Sequence, residues 1–254
     1  TQVGNNGDTL FQKRFGSTYD DHRFYNLIKT SDTSFVFGGN CYSDSSKRFG
    51  CKLYFVNSFG DSLTSQFIGD TNRYHYYTGF ITRLSDGGFL GTGQYTDSNS
   101  VDGDILIIRM DSSGNFLWKN TFGGVKFELG YSSIETPDKG FLTLGWTRSF
   151  GFGSSTNRDM ILVKWDSVGN KLWHRTYGSI EFDGGTGITA TSDGNYLLAG
   201  YQGVPVGEIR CWIMKVDAAG NTLWSQTYDN GYGELWWARE RFDGSIVAVG
   251  STDD

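Results

Sequence analysis

A chain of 254 residues has room for one large β domain or two small ones. Its 36 Gly, 16% aromatic residues and only 2 Pro suit many short strands joined by tight turns and exclude a disordered chain. A net charge of −6, with no Lys/Arg cluster larger than a pair, argues against a nucleic-acid partner. No run approaches the ~18 apolar residues of a membrane helix, so no membrane insertion is expected.

Residue 1 is Thr and no signal peptide is visible, which implies either a removed leader or a longer parent chain. The first recognisable segment is an outer strand at residues 8–15, preceded at Thr1-Gln2-Val3 by the tail of a further strand. From there a column fixes the register: Asp-x-x-(aromatic)-x-x-x-Gly at Asp32/Phe35/Gly39, Asp86/Phe89/Gly93, Asp138/Phe141/Gly145 and Asp193/Tyr196/Gly200, with Ile246 replacing the aromatic in Asp243/Gly250. The steps of 54, 52, 55 and 50 residues indicate a solenoid or a propeller.

Each unit reads as four short strands. In the third they fall at about 129–136, 141–147, 159–165 and 170–177. The third strands (Ile105–Ile108, Met160–Val163, Cys211–Met214) are continuous apolar runs, the pattern of strands covered on both faces. Radially packed blades cover strands in this way, so the expected fold is an all-β, five-bladed β-propeller of four-stranded blades forming a single domain over 1–254. Its blades are approximately 17–69, 70–123, 124–178, 179–228, and 229–254 plus 1–16. In the last blade the N- and C-terminal strands pair to close the ring.

A turn and an outer strand recur as Asp111-Ser-Ser-Gly-Asn-Phe-Leu-Trp118, Asp166-Ser-Val-Gly-Asn-Lys-Leu-Trp173 and Asp217-Ala-Ala-Gly-Asn-Thr-Leu-Trp224. The Asp side chains suit turns by accepting backbone N–H bonds. Cys41 and Cys51 flank one loop and are a candidate disulfide. The competing reading keeps Cys51 and Cys211 as core thiols in the apolar third strands, where other copies carry Ile105 and Ile161.

The strand order is similar to that of WD40 blades. The segments "DGGFLGTG", "DILIIRMDSSGNFLWKNTFGG" and "DMILVKWDSVGNKLWHRTYG" resemble more closely the repeats of secreted propeller proteins of Bacteroidota, which commonly carry a type IX secretion sorting domain. The resemblance spans nearly the whole chain and implies secretion or display at the cell surface. It implies no particular activity.

No nucleophile elbow, P-loop, zincin helix or Cys-x-x-Cys motif is present. His22, His75 and His174 form no convincing ligand pattern, with His174 expected in solvent on an outer strand. No metal and no cofactor is assigned. Columns that vary between units are free to serve a ligand, and the loops entering each first strand vary most. They carry Tyr19, Asp20, Arg23 and Tyr25; Arg73, Tyr74, Tyr76 and Tyr77; and Glu234, Trp236 and Trp237. These form the expected ligand-binding arc on one rim, contributed by units one, two and five. Aromatic faces beside hydrogen-bonding charges suit a glycan or a surface protein. Trp236 and Trp237, adjacent on a strand, must face opposite ways.

The function expected from sequence is therefore a secreted or cell-surface binding, adhesion or scaffold module that is not an enzyme. The alternative is an extracellular glycan-processing enzyme using rim carboxylates such as Asp20, Asp21, Glu128, Asp183 or Glu234. A structural subunit of a larger surface complex is the third reading.

Overall fold

The computed structural model describes the chain except residues 1, 4–7, 16–19, 44–47, 71–74, 97–101, 154–155, 206, 229–230 and 254. Side chains are also outside the description at strand residues 2–3, 9–11, 20–22, 43, 48–49, 70 and 75–79. Every regular element among the described residues is a strand.

An N-terminal hairpin pairs β1 (Gln2–Val3) with β2 (Thr9–Phe11). Four four-stranded antiparallel sheets follow. The first blade contains β3 (Asp20–Lys29), β4 (Ser34–Ser43), β5 (Arg48–Asn57) and β6 (Ser62–Asp70). The second contains β7 (His75–Arg83), β8 (Phe89–Thr96), β9 (Asp104–Met110) and β10 (Phe116–Phe122). The third contains β11 (Glu128–Glu135), β12 (Phe141–Thr147), β13 (Asp159–Trp165) and β14 (Lys171–Tyr177). The fourth contains β15 (Gly184–Ala190), β16 (Tyr196–Gly203), β17 (Ile209–Val216) and β18 (Thr222–Tyr228). A two-stranded half-blade, β19 (Gly233–Glu240) and β20 (Ile246–Thr252), ends the series.

The recurring turn works by hydrogen bonding. Asp111 Oδ1 accepts from the amides of Ser113 (2.8 Å) and Asn115 (2.9 Å), while its Oδ2 accepts from the Asn115 side chain (2.9 Å). Asp166 and Asp217 repeat the arrangement. Gly114, Gly169 and Gly220 close these turns at φ near +80°, a conformation that suits glycine.

Each junction between consecutive blades owns a separate apolar cluster. Cys51, Leu53, Ile81 and Leu106 join the first to the second. Leu90, Ile107, Ile161 and Trp165 join the second to the third. Leu144, Leu162, Leu198 and Trp212 join the third to the fourth. Leu197, Ile213, Leu235 and Ala238 join the fourth to the half-blade. The third strands, buried on both faces, are therefore the interior of a radial stack.

Two expectations are corrected. The ring is not closed by strand pairing, because β1–β2 and β19–β20 form separate sheets. A two-residue β1 offers too few ladder bonds to hold an edge, and all of β20 stays exposed. There is also no Cys41–Cys51 disulfide. Cys41 stands opposite Gly50 and Cys51 opposite Asn40, so alternation sends the two side chains to opposite faces of the sheet. Both are buried, and Cys51 packs in the core between the first two blades.

Candidate functional site

On one rim of the stack, three strand ends of each blade meet: the start of the first, the end of the second and the start of the third. In the third blade these are Glu128, Thr147 and Asp159, in register across the sheet. Here the outer-to-inner link, residues 178–183, crosses beside the loop at 148–158. Asp183 N donates to the Arg158 carbonyl at 2.7 Å, and the Asn157 side chain donates to the Ile180 carbonyl.

Asp159 and Asp183 converge under this crossing. A Cβ built on Gly178 would lie 2.4 Å from Asp159 Oδ1 and 2.5 Å from Asp183 Oδ2, so the oxygens are no further apart than those two distances together. Glycine is required there both by the space and by a φ of +147°. Asp183 is fully buried and satisfied: Oδ2 accepts from the Ser179 amide (2.5 Å) and hydroxyl (3.1 Å), and Oδ1 from the Gly203 amide (2.9 Å). Asp159 is only 1% exposed. Its Oδ2 accepts from the Phe152 amide at 2.8 Å, but its Oδ1 has no hydrogen-bond partner among the described residues. Burial pushes the Asp159 carboxyl up to about 7 and the charge of Asp183 adds to the shift, while the amides of Phe152 and Ser179 oppose it. Burial also raises Asp183.

The same pairing occurs one blade earlier. Asp104 and Glu128 flank Gly123, where a Cβ would lie 1.9 Å from Asp104 Oδ1 and 2.8 Å from Glu128 Oε2. Glu128 is held by Thr147 Oγ1 (2.9 Å) and by the amides of Gly124 (2.8 Å) and Ser149 (3.0 Å). The acid pair is thus part of how one blade hands over to the next. Burial, and then the charge of Glu128, raise the Asp104 carboxyl as well; the later junction differs in the deeper burial of its Asp and in what surrounds it.

Arg158 stands beside that junction. Its guanidinium carbon lies 5.1 Å from the Trp146 ring centroid, 5.4 Å from Tyr201 and 5.7 Å from Phe182. Arg158 Nε and Trp146 Nε1 are both buried without a hydrogen-bond partner among the described residues. Phe127 stacks on Trp146 at 5.2 Å and 13°. Tyr201 is buried, and burial raises its phenol, with Arg158, Tyr131, Glu234 and Asp183 close enough to bias it electrostatically. Nearby, Glu234 Oε1 accepts from Trp236 Nε1 at 2.8 Å.

A bulge interrupts each of the five first strands at the same level. The extra residues include Tyr25, Phe80, Tyr131, Thr186 and Trp236, since bulges re-aim side chains off the ladder. Tyr25 and Phe80 approach to 6.2 Å, and Phe80 and Trp237 to 5.7 Å. Trp236 is 51% exposed and Trp237 half-buried, on opposite sides of their strand.

Of the residues expected on the rim, Tyr25, Glu234, Trp236 and Trp237 have these surroundings, and Arg23 is exposed on β3. Tyr19, Arg73 and Tyr74 lie outside the described residues, as do the side chains of Asp20, Tyr76 and Tyr77. His174 is half-buried, not solvated: it packs 5.1 Å from Phe122 and 4.9 Å from Phe150, and burial lowers its pKa. Sequence reasoning missed Trp146, Arg158, Asp159 and Tyr201. The available signal was Arg158, which precedes the repeated strand-opening Asp where the earlier unit has Gly103.

No family model and no curated protein sequence matches the chain. Two solved structures of an exo-beta-1,3-galactanase from Phanerochaete chrysosporium, each with beta-1,3-galactotriose, share its fold at 12% identity with TM-scores of 0.52 and 0.55. The matches cover 86% and 98% of this chain but 54% and 58% of the galactanase, so the chain spans little more than half the length of that enzyme. The likeness supports a propeller architecture. It also corrects the expectation that the protein is not an enzyme. That expectation rested on absent sequence motifs, whereas the solved fold found here is that of a glycan-processing enzyme.

Proposed function

We propose that the protein is an extracellular glycan-processing enzyme, a glycoside hydrolase whose acid/base centre is the Asp159–Asp183 pair. The observation that carries this reading is the Asp159 carboxyl: buried, pushed up to about 7, and presenting an unpartnered oxygen toward a second carboxyl. Glycoside hydrolysis needs an acid that is still protonated near neutral pH and a second carboxylate beside it. Asp159 takes the first role, giving its proton to the departing glycosidic oxygen. Asp183, fixed by three hydrogen bonds, takes the second: its carboxylate bonds to the anomeric carbon as the glycosidic C–O bond breaks, and water, giving its proton to Asp159, then releases the sugar from Asp183. The bound set by the two Gly178 distances falls just short of the about 5–5.5 Å of retaining enzymes and well short of the about 6.5–9.5 Å of inverting ones, so the retaining mechanism is the nearer match.

Phe152, whose amide donates to Asp159, and Phe182, the residue before Asp183, stand next to the pair. Their rings, 51% and 41% exposed, offer sugar-stacking faces at the entrance. Trp236, 51% exposed and bonded to Glu234, lies farther along the same rim and would hold a more distant sugar unit, whereas Tyr25 and Trp237 pack against Phe80. The secreted or surface location follows from the repeat resemblance, and the partner is a glycan.

The test is hydrolysis of a panel of oligosaccharides that includes β-1,3-galacto-oligosaccharides. Asp159→Asn is expected to lower turnover by about 10²–10⁴-fold, the usual contribution of a general acid. Asp104→Asn, at the equivalent place one blade earlier, is expected to stay within a few-fold of wild type. An inactive wild type, or equal loss in both variants, refutes the assignment.

A further inference from the structure

We propose that the site beside the acid pair binds an anionic sugar, a uronic acid whose carboxylate is received by Arg158. The proposal deepens the glycan-processing reading and rests on it for the identity of the ligand as a sugar.

The guanidinium of Arg158 is built into place. Trp146, Tyr201 and Phe182 surround it at 5.1, 5.4 and 5.7 Å, and these rings come from β12, β16 and the link before β15. Cation–π contact on several sides fixes the fork and leaves its N–H groups in one orientation. No ion pair or side-chain hydrogen bond to Arg158 occurs among the described residues, and its Nε is buried without an acceptor. A second guanidinium, that of Arg148, lies 5.7 Å from the same Trp146 ring and likewise has no ion pair among the described residues.

Arg148 is exposed to solvent whereas Arg158 is half-buried, and Arg158 has no anion beside it among the described residues of a chain with net charge −6, where carboxylates are plentiful. Three buried or half-buried cations elsewhere do have partners: Lys164 on Asp138 and Lys215 on Asp193, both at 2.7 Å, and Arg109 on Asp86. A buried donor left unmade costs stability, and a planar carboxylate is the group that best matches Nε and a neighbouring Nη together. Trp146 Nε1, the next unsatisfied donor, sits on the same ring and can serve a ring hydroxyl or the glycosidic oxygen of the same sugar.

Isothermal titration of the whole protein with oligogalacturonides or oligoglucuronides, neutral β-1,3-galacto-oligosaccharides and sulfated galacto-oligosaccharides of equal length tests the proposal. Uronates are expected to bind at least roughly tenfold more tightly than neutral sugars, with the preference shrinking as salt rises. In R158Q that preference is expected to vanish, and in R158K, which keeps the charge without the fork, to fall part-way. Should R158Q fail to fold, R158K and the salt series carry the test.

Equal affinity for neutral and acidic sugars, or a full preference retained in R158Q, overturns the proposal. Preference for the sulfated sugar places the anion site correctly but overturns the uronate. Tight uronate binding without cleavage leaves the anion site standing and removes the hydrolase. Cleavage of neutral sugars with no acidic preference does the reverse. No binding to any of the probes rejects both.

Discussion

The repeated Asp of the first turn in each blade is more than a turn former. Asp86, Asp138 and Asp193 each meet a cation from the third strand of the same blade: Arg109, Lys164 and Lys215. Lys164 is buried while Asp138 is largely exposed, so the pair is asymmetric. The hydrogen bond from Lys164, then that from Thr136, holds the Asp138 carboxyl down to about 2. Removing Asp138 strands a buried ammonium, whereas removing Lys164 strands only a carboxylate that water can reach. Asp138→Ala is therefore expected to cost about 2 kcal/mol and Lys164→Met less than about 1 kcal/mol, after allowing for solvent screening of the exposed partner. Urea unfolding of both variants measures the difference, and equal losses would refute the asymmetry. The Asp column was visible in the sequence as punctuation. Its ion pairs were not, because the cation lies more than 20 positions away and only strand pairing brings it back.

At the scale of the element, β20 shows what a sequence pattern cannot report. Ile246-Val-Ala-Val-Gly is written like Phe141-Leu-Thr-Leu-Gly and Tyr196-Leu-Leu-Ala-Gly, and it forms the expected strand. Yet β12 is buried throughout and β20 is exposed throughout. Burial depends on whether a third strand and a neighbouring blade arrive, which no residue of β20 encodes. The strand boundaries of the third blade were legible to within a residue or two, because turn Asp and Gly mark both ends. The closure was not, because it depends on pairing between distant hairpins. The variable loops pointed to one rim, where the proposed site also lies. Its acid pair was hidden because Asp159 belongs to the same repeated wording as Asp104. Alternation along β20 turns Val247 and Val249 toward Trp237, away from the fourth blade. With that face open, Val247→Lys is expected to change stability by no more than about 0.5 kcal/mol, and to reduce self-association at high concentration by blunting an apolar edge. A loss of several kcal/mol would mean that the face is covered in solution. Phe15 gives the opposite expectation. Its ring packs 4.7 Å from Phe37 and 5.3 Å from Tyr54, anchoring the N-terminal segment on the first blade. Phe15→Ala is expected to cost about 2 kcal/mol, at the low end for an aromatic because the ring is only half-buried.

For the molecule as a whole, these carboxyls give stability two opposed dependences on pH. Asp138 has a folded-state pKa below its ordinary 3.8, so its contribution is present above that value and is lost as pH falls through about 2. Asp159 runs the other way. Its folded-state pKa of about 7 exceeds the ordinary 3.8, so the folded chain holds a proton that the unfolded chain releases across that interval. Its contribution is complete below the ordinary value and is lost progressively as pH rises to about 7. Net stability is thus expected to decline from mildly acidic to neutral pH, an unusual direction for a chain with 28 acidic residues. Asp159→Asn keeps the shape and removes the titration, so it should flatten this slope while leaving the fall at strongly acid pH in place. Asp138→Asn should do the reverse. Thermal unfolding of the three proteins between about pH 2 and 8 separates the two effects, and an unchanged neutral slope in Asp159→Asn would show that its proton is not held as the geometry implies. The same proton sets the alkaline limit of the proposed hydrolysis. Activity should decline as pH rises through about 7, in the range where Asp159 stops stabilising the fold.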